Sequence, residues 1–212
     1  PWETPPKGCR ILLSAQRHRV GVALTGVQGI RDLEQAVVGV VIATHHAQGR
    51  AARGGAEALG VGLAEGHGVD GLVDARDIPF DRLAAYDRRF FPEARASFLA
   101  PWLSLPERTS LVALRDGGIV GFAVMRACRA ASRVGPLYAA TPEIAAALVS
   151  ALAENMSAKT VAIDVPDNNA AAVAMARRLG LEPAFETARM YTGPAPEIDS
   201  AGLFGVTSLE LG

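Results

Sequence analysis

From Arg133 to Val165 the chain reads strand, helix, strand, and that order limits its fold more than any other feature. "RVGPLYAA" is β-like. Thr141 then stands where a helix cap belongs, with Pro142 suited to the first helical position. Ile144, Leu148 and Leu152 form an i, i+4, i+8 stripe, and "KTVAIDV" follows as a continuous apolar strand fit for a buried sheet position. Upstream, "SLVALRDGGIVGFAVMRA" is two β-rich runs meeting at Asp116-Gly117, the signature of a tight hairpin whose turn needs positive φ. A strand–helix–strand unit fed by an antiparallel hairpin predicts an α/β chain with a central mixed sheet and helices on both faces.

Two helices should precede the hairpin. Phe80, Leu83, Ala84 and Phe90 lie near helical spacing before Pro92 interrupts, and "PEARASFLAPWL" carries Phe98, Leu99 and Trp102 on one side. Pro101 is expected to end or kink the second. After "KTVAIDV", a helix with Ala172, Met175, Ala176 and Leu179 on one face should stop at Gly180, and "PAFETARMYTG" and "FGVTSLELG" read as strands.

The vocabulary changes near residue 70. Residues 1–70 hold twelve of the 22 glycines and all four histidines but no Phe, Tyr, Asn or Met, so they lack the large side chains that build a core. They are expected to be an irregular N-terminal segment, whether the remnant of a larger domain, a flexible extension or a stretch translated out of its natural frame, with 71–212 as the folding domain. Within them, Gln35 to Thr44 reads as a buried strand, followed by the glycine-rich "HHAQGRAARGG" and a helix-like "AEALGVGL", an order able to cradle a phosphate. The chain opens on Pro1 and has no Met before Met125, so its natural start is expected to lie upstream.

Several classes are disfavoured. Net charge is −1 with no Lys/Arg run, which argues against nucleic acid as a partner. The longest apolar run, Ala36 to Ala43, is too short to span a bilayer, and no leader opens the chain; a soluble cytoplasmic protein is expected. Cys9 and Cys128 have no paired spacing. His45 and His46 are adjacent, so on a strand they face opposite ways, and no metal is expected. No G-x-G-x-x-G opens a βαβ unit, which removes a dinucleotide binder.

The most informative stretch is "DVPDNNAAAVAMARRLGLEP", Asp164 to Pro183. An Asn beyond a strand tip can cap a helix without carrying charge, or reach a ligand lying across the tip. Capping or turn duty is expected of Asn168, leaving Asn169 to face a ligand.

This stretch resembles the second signature segment of the GNAT acetyltransferase superfamily. That segment has an Asn, an Ala three residues on, a Tyr at seven, a Gly at eleven and a hydrophobic residue at twelve. Here these positions hold Asn169, Ala172, Ala176, Gly180 and Leu181, so the Tyr is missing. Residues 72–212 also resemble the carboxy-terminal half of a bacterial tandem-GNAT type, through "YDRRFFP", "VGPLYA", "DVPDNNAAAVAMARRLG", "FETARMYTG" and "FGVTSLELG".

The resemblance implies a GNAT-like fold and an N-acetyltransferase that takes acetyl-CoA as co-substrate and a small-molecule amine as acceptor. It places the pantetheine arm in a gap between splayed strands, with Gly135, Leu137 and Asn169 beside it. Tyr138 and Tyr191 are then the candidate phenols and Glu186 the candidate general base. Gly135-Pro136 suits a bulge, an open splay or an edge strand.

The superfamily's pyrophosphate loop, Gln/Arg-x-x-Gly-x-Gly/Ala, is absent after "RVGPLYA", where "ATPEIAAALV" has no Gly, Arg or Gln. Its only counterpart is Gln48 and Gly49 in "QGRAARGG", with Ala51 and Arg53 at the glycine positions. The distance from there to Gly71 is too short for the rest of a GNAT domain, so an incomplete chain is expected. A GNAT-like module without turnover is the alternative, and a homodimer fits the open sheet edges of such a fold.

Overall fold

A computed structural model of the chain describes the backbone of 36–43 and, apart from 190, 192, 193 and 212, residues 69–212. Among the described residues eight strands form one sheet: β1 Ala36–Ala43, β2 Gly71–Asp74, β3 Arg108–Arg115, β4 Gly118–Arg126, β5 Ser132–Ala139, β6 Val161–Pro166, β7 Pro183–Arg189 and β8 Leu203–Gly205. The helices are α1 Phe80–Asp87, α2 Ala96–Ser104, α3 Pro142–Asn155 and α4 Ala170–Arg178. The strand order is β2-β3-β4-β5-β6-β1-β7, with β8 paired to β5 off this path. Only β5–β6 is parallel among the pairs they make; the others are antiparallel. The mixed α/β sheet follows from the hairpin and the α3 crossover.

Local chemistry explains the element ends. The β3–β4 hairpin turns at Asp116 and Gly117, both with positive φ, 51° and 69°. Thr141 caps α3 through its hydroxyl, which accepts from the Ile144 N–H, and Pro142 takes the first turn. Gly180 closes α4 at φ 71°. Pro101, by contrast, sits inside α2, and the helix continues to Ser104. Its missing N–H costs one hydrogen bond in a short helix whose Leu99 and Leu103 are buried, and that packing outweighs the loss.

Alternation along the strands builds two cores. Leu111 and Ala113 of β3, Ala123 and Met125 of β4, and Leu137 and Ala139 of β5 pack under α3 and α4. Val112, Phe122, Val124 and Tyr138 face the other way, onto Leu83, Tyr86 and Phe90 of the α1 region and Leu99 and Leu103 of α2.

Two placements were not foreseen. β1 comes from the aromatic-poor first part of the chain, yet lies between β6 and β7, antiparallel to both. And of "FGVTSLELG" only a short strand forms, against β5. No described helix is long and apolar enough to cross a membrane.

Candidate functional site

The site region begins where β5 changes partner. Its first half pairs in parallel with β6, Ser132 to Val134 opposite Val161 to Ile163. Its second half pairs with β8, Leu137 opposite Gly205 and Tyr138 opposite Leu203. On the β4 side Ala123 faces Leu137 and Met125 faces Val134, so Gly135 and Pro136 share the place opposite one residue, Val124. That is a bulge, and it is where β5 bends away from β6. The Trp102 indole donates to the Gly135 carbonyl at 3.1 Å.

The helix cap falls to the second asparagine of the pair and not to Asn168. Asn169 is the cap: its Oδ1 accepts from the Ala172 N–H at 3.1 Å. Its Nδ2 reaches the carbonyls of Ser200, Ala201 and Leu203 at 3.2, 3.0 and 2.9 Å. The side chain is buried and faces the segment leading into β8. Asn168 is exposed and lines a cavity of about 270 Å³ at the C-terminal tips of β6 and β7. Arg189, Tyr191, Glu197, Ile198 and Ser200 share that lining, with the buried Leu203 and Val206 behind them. The Arg189 guanidinium lies 5.8 Å from the Tyr191 ring centre, within cation–π range.

The remaining candidates are dispersed. Tyr138 is on the opposite face of β5 from Leu137, in the second core. Its hydroxyl donates to Asp87 Oδ1 at 3.1 Å and accepts from Arg95 Nη2 at 2.9 Å. Burial, with the nearby Asp87 charge, pushes this phenol far above its ordinary range, so it stays protonated. Arg95 binds Asp87 at both carboxylate oxygens, and its Nη2 also reaches Thr207 Oγ1 at 2.9 Å. Leu137 is fully buried. Glu186 is exposed on β7 and outside the cavity lining, whereas Arg189, at odd spacing from it, is part of that lining. Gln48 and Gly49 lie outside the described residues.

Thus Tyr191 stands with Asn168 and Arg189, while Tyr138, Glu186 and Asn169 stand elsewhere. Glu197, Ile198 and Ser200 escaped the sequence reading because "PEIDS" has no periodicity. The usable signal was topological: a connection from β7 to β8 must cross the tips of the strands.

The residues around β5 do not fit the donor cofactor that the fold type implies. Thr141 is spent on capping, Pro142 removes a donor, and Glu143 adds negative charge at the α3 N-terminus. β8 lies between the second half of β5 and β6, with the Val206 N–H donating to the Asp164 carbonyl at 2.9 Å. Among the described residues no cluster of three or more His, Cys, Asp or Glu could hold a metal ion.

Comparison with known proteins agrees with the fold. A family model described as an acetyltransferase (GNAT) domain matches residues 83–205. The holothin acyltransferase of Pseudoalteromonas sp. (strain SANK 73390) is 26% identical over 206 residues, spanning 97% of this chain and 67% of that one. The crystal structure of a protein described as an acetyltransferase from Pyrococcus horikoshii superposes with a TM-score of 0.61 at 17% identity, covering 84% of this chain and 52% of the other. The chain therefore spans about two thirds of the first relative and about half of the second.

Proposed function

Because this chain belongs to the GNAT acetyltransferase family, we propose that it is an N-acyltransferase using acetyl-CoA or a similar acyl-CoA and a small amine acceptor. The single observation that carries this is the cavity at the β6 and β7 tips, where a phenol, a carboxylate, a guanidinium and a neutral amide converge on an apolar floor. Ligand sites place convergent polar groups in a concave wall in this way.

An amine can attack only after losing its proton. In this reading Glu197 and Tyr191 receive or relay that proton, Asn168 orients the acceptor, and Leu203 and Val206 exclude water behind it. Tyr138, held in its buried network, positions β5. Gln48 and Gly49 remain the residues proposed for the donor's phosphates, and the chain would work in the reducing cytoplasm, in keeping with a free, exposed Cys128.

A second reading is favoured by one specific observation, the filling of the β5–β6 gap by β8: a GNAT-like module that binds a small amine or a partner without turnover. One experiment separates the two. The purified chain is given acetyl-CoA and pooled small amines, and thiol release is followed. Amine-dependent release that falls at least about tenfold in Tyr191→Phe or Glu197→Gln supports the transferase. Saturable amine binding by calorimetry with no thiol release establishes the module.

A further inference from the structure

We infer that the gap between β5 and β6 is the permanent seat of the chain's own C-terminal segment, residues 203–207, and that no ligand arm enters it. The inference concerns the described domain and stands whether or not the chain transfers acyl groups.

The segment is held as an extended amide chain would be held. β8 pairs antiparallel with the half of β5 that β6 has released, Leu137 with Gly205 and Tyr138 with Leu203. On its other side the Val206 N–H donates to the Asp164 carbonyl. Asn169 fans its amide over the carbonyls of Ser200, Ala201 and Leu203. Buried backbone groups must be paired, and here the pairing comes from the residues that the family resemblance would assign to a pantetheine arm.

Fit is as close as the hydrogen bonding. A Cβ on Gly135 would stand 2.6 Å from the Val206 carbonyl oxygen and closer still to that of Thr207. A Cβ on Gly205 would meet Ile163 at 2.9 Å. The glycine in "VGPLYA" therefore leaves room for the Val206 and Thr207 carbonyls, and the glycine in "FGVTS" leaves room for Leu137 and Ile163. Leu203, Phe204 and Val206 are at most 5% exposed and distribute between the two cores. Thr207 is tied through Arg95 to Asp87 and Tyr138. An arm entering this gap would have to expel three core side chains and orphan the Asn169 amide. Asn169 and Gly135 are thus positioning residues for the tail.

The test is hydrogen exchange on the full chain, read by peptide mass spectrometry with and without saturating acetyl-CoA. Amides of 134–139 and 203–207 should be among the slowest to exchange and should not change when acetyl-CoA is added. Asn169→Ala and the milder, nearly isosteric Thr207→Val should each speed exchange in 199–207, the former by about tenfold or more, the loss expected for buried hydrogen bonds in a local opening. Neither should change affinity for acetyl-CoA more than about twofold, since neither would touch it. Deprotection of 203–207 by acetyl-CoA would overturn the inference. So would unchanged exchange in both variants, or loss of acetyl-CoA binding in Asn169→Ala with the tail still protected. A chain that binds no acetyl-CoA but shows the variant effects defeats the transferase reading and leaves the tail assignment standing.

Discussion

The side-chain nitrogen of Asn169 stands 2.9 Å from the Leu203 carbonyl oxygen while its own oxygen caps α4. One amide thereby joins the start of a helix to a strand 34 residues further along the chain. Only a neutral group that both donates and accepts can do this.

That requirement is testable by charge. Asn169→Asp keeps the cap acceptor but turns a carboxylate toward three carbonyl oxygens in a buried place. It should destabilise the fold by about 3 kcal/mol or more near neutrality, the scale of an uncompensated buried charge. Burial raises the new carboxyl's pKa above its unfolded value, so the loss should shrink as pH falls and the group regains its proton. Urea unfolding midpoints at neutral and acidic pH give both answers.

Gly135→Ala should cost about 1 to 3 kcal/mol by forcing the tail off β5, the range for overpacking. Its backbone φ is not in the left-handed region, so the cost is steric contact with the Val206 and Thr207 carbonyls. Thermal melts should drop accordingly. The same change at Gly71, where an added Cβ meets nothing within 4 Å, should leave the melt nearly unchanged.

The Arg95–Asp87 pair has side-chain exposures of 8% and 3%. Arg95→Met should cost about 3 to 5 kcal/mol, since it strands a buried carboxylate. Asp87→Leu with Arg95→Met should cost much less than the two single changes together, because they share one network. A double-mutant cycle in urea measures the coupling.

Asp164 gives a pH dependence with a defined sign. Burial raises its carboxyl above the ordinary 3.8, against the lowering effect of Arg133 at 2.7 Å. The folded state holds this proton after the unfolded chain has lost it. Rising pH, from 3.8 up to the raised folded value, therefore draws the equilibrium toward unfolding. Asp164→Asn should remove that part of the slope, and the difference between the two pH–stability curves isolates it from other carboxyls.

β7 meets the sheet only through β1 among its described pairings. Val40→Pro takes an N–H from the middle of β1, between Asp164 of β6 and Phe185 of β7. Exchange protection of 183–189 should fall sharply while that of 108–126 persists. Equal loss in both stretches would show that β1 supports the whole sheet instead.

What the sequence determined was local. The Asp116-Gly117 hairpin, the Thr141-Pro142 start of α3, the stop at Gly180 and the apolar strand 161–166 follow from turn chemistry, capping and periodicity, which act over a few residues. The mixed sheet followed because a hairpin and a helical crossover leave little choice of neighbours. Only the tertiary structure decided which asparagine faces what. Both precede the same helix, and the choice rests on carbonyls at 200–203 that no short-range signal connects to residue 169. The same holds for β1 entering between β6 and β7, and for Tyr138 being sealed against Asp87 and Arg95. Contacts between distant segments are set by which surfaces remain to be buried once the local elements exist, and that is a property of the whole packed chain.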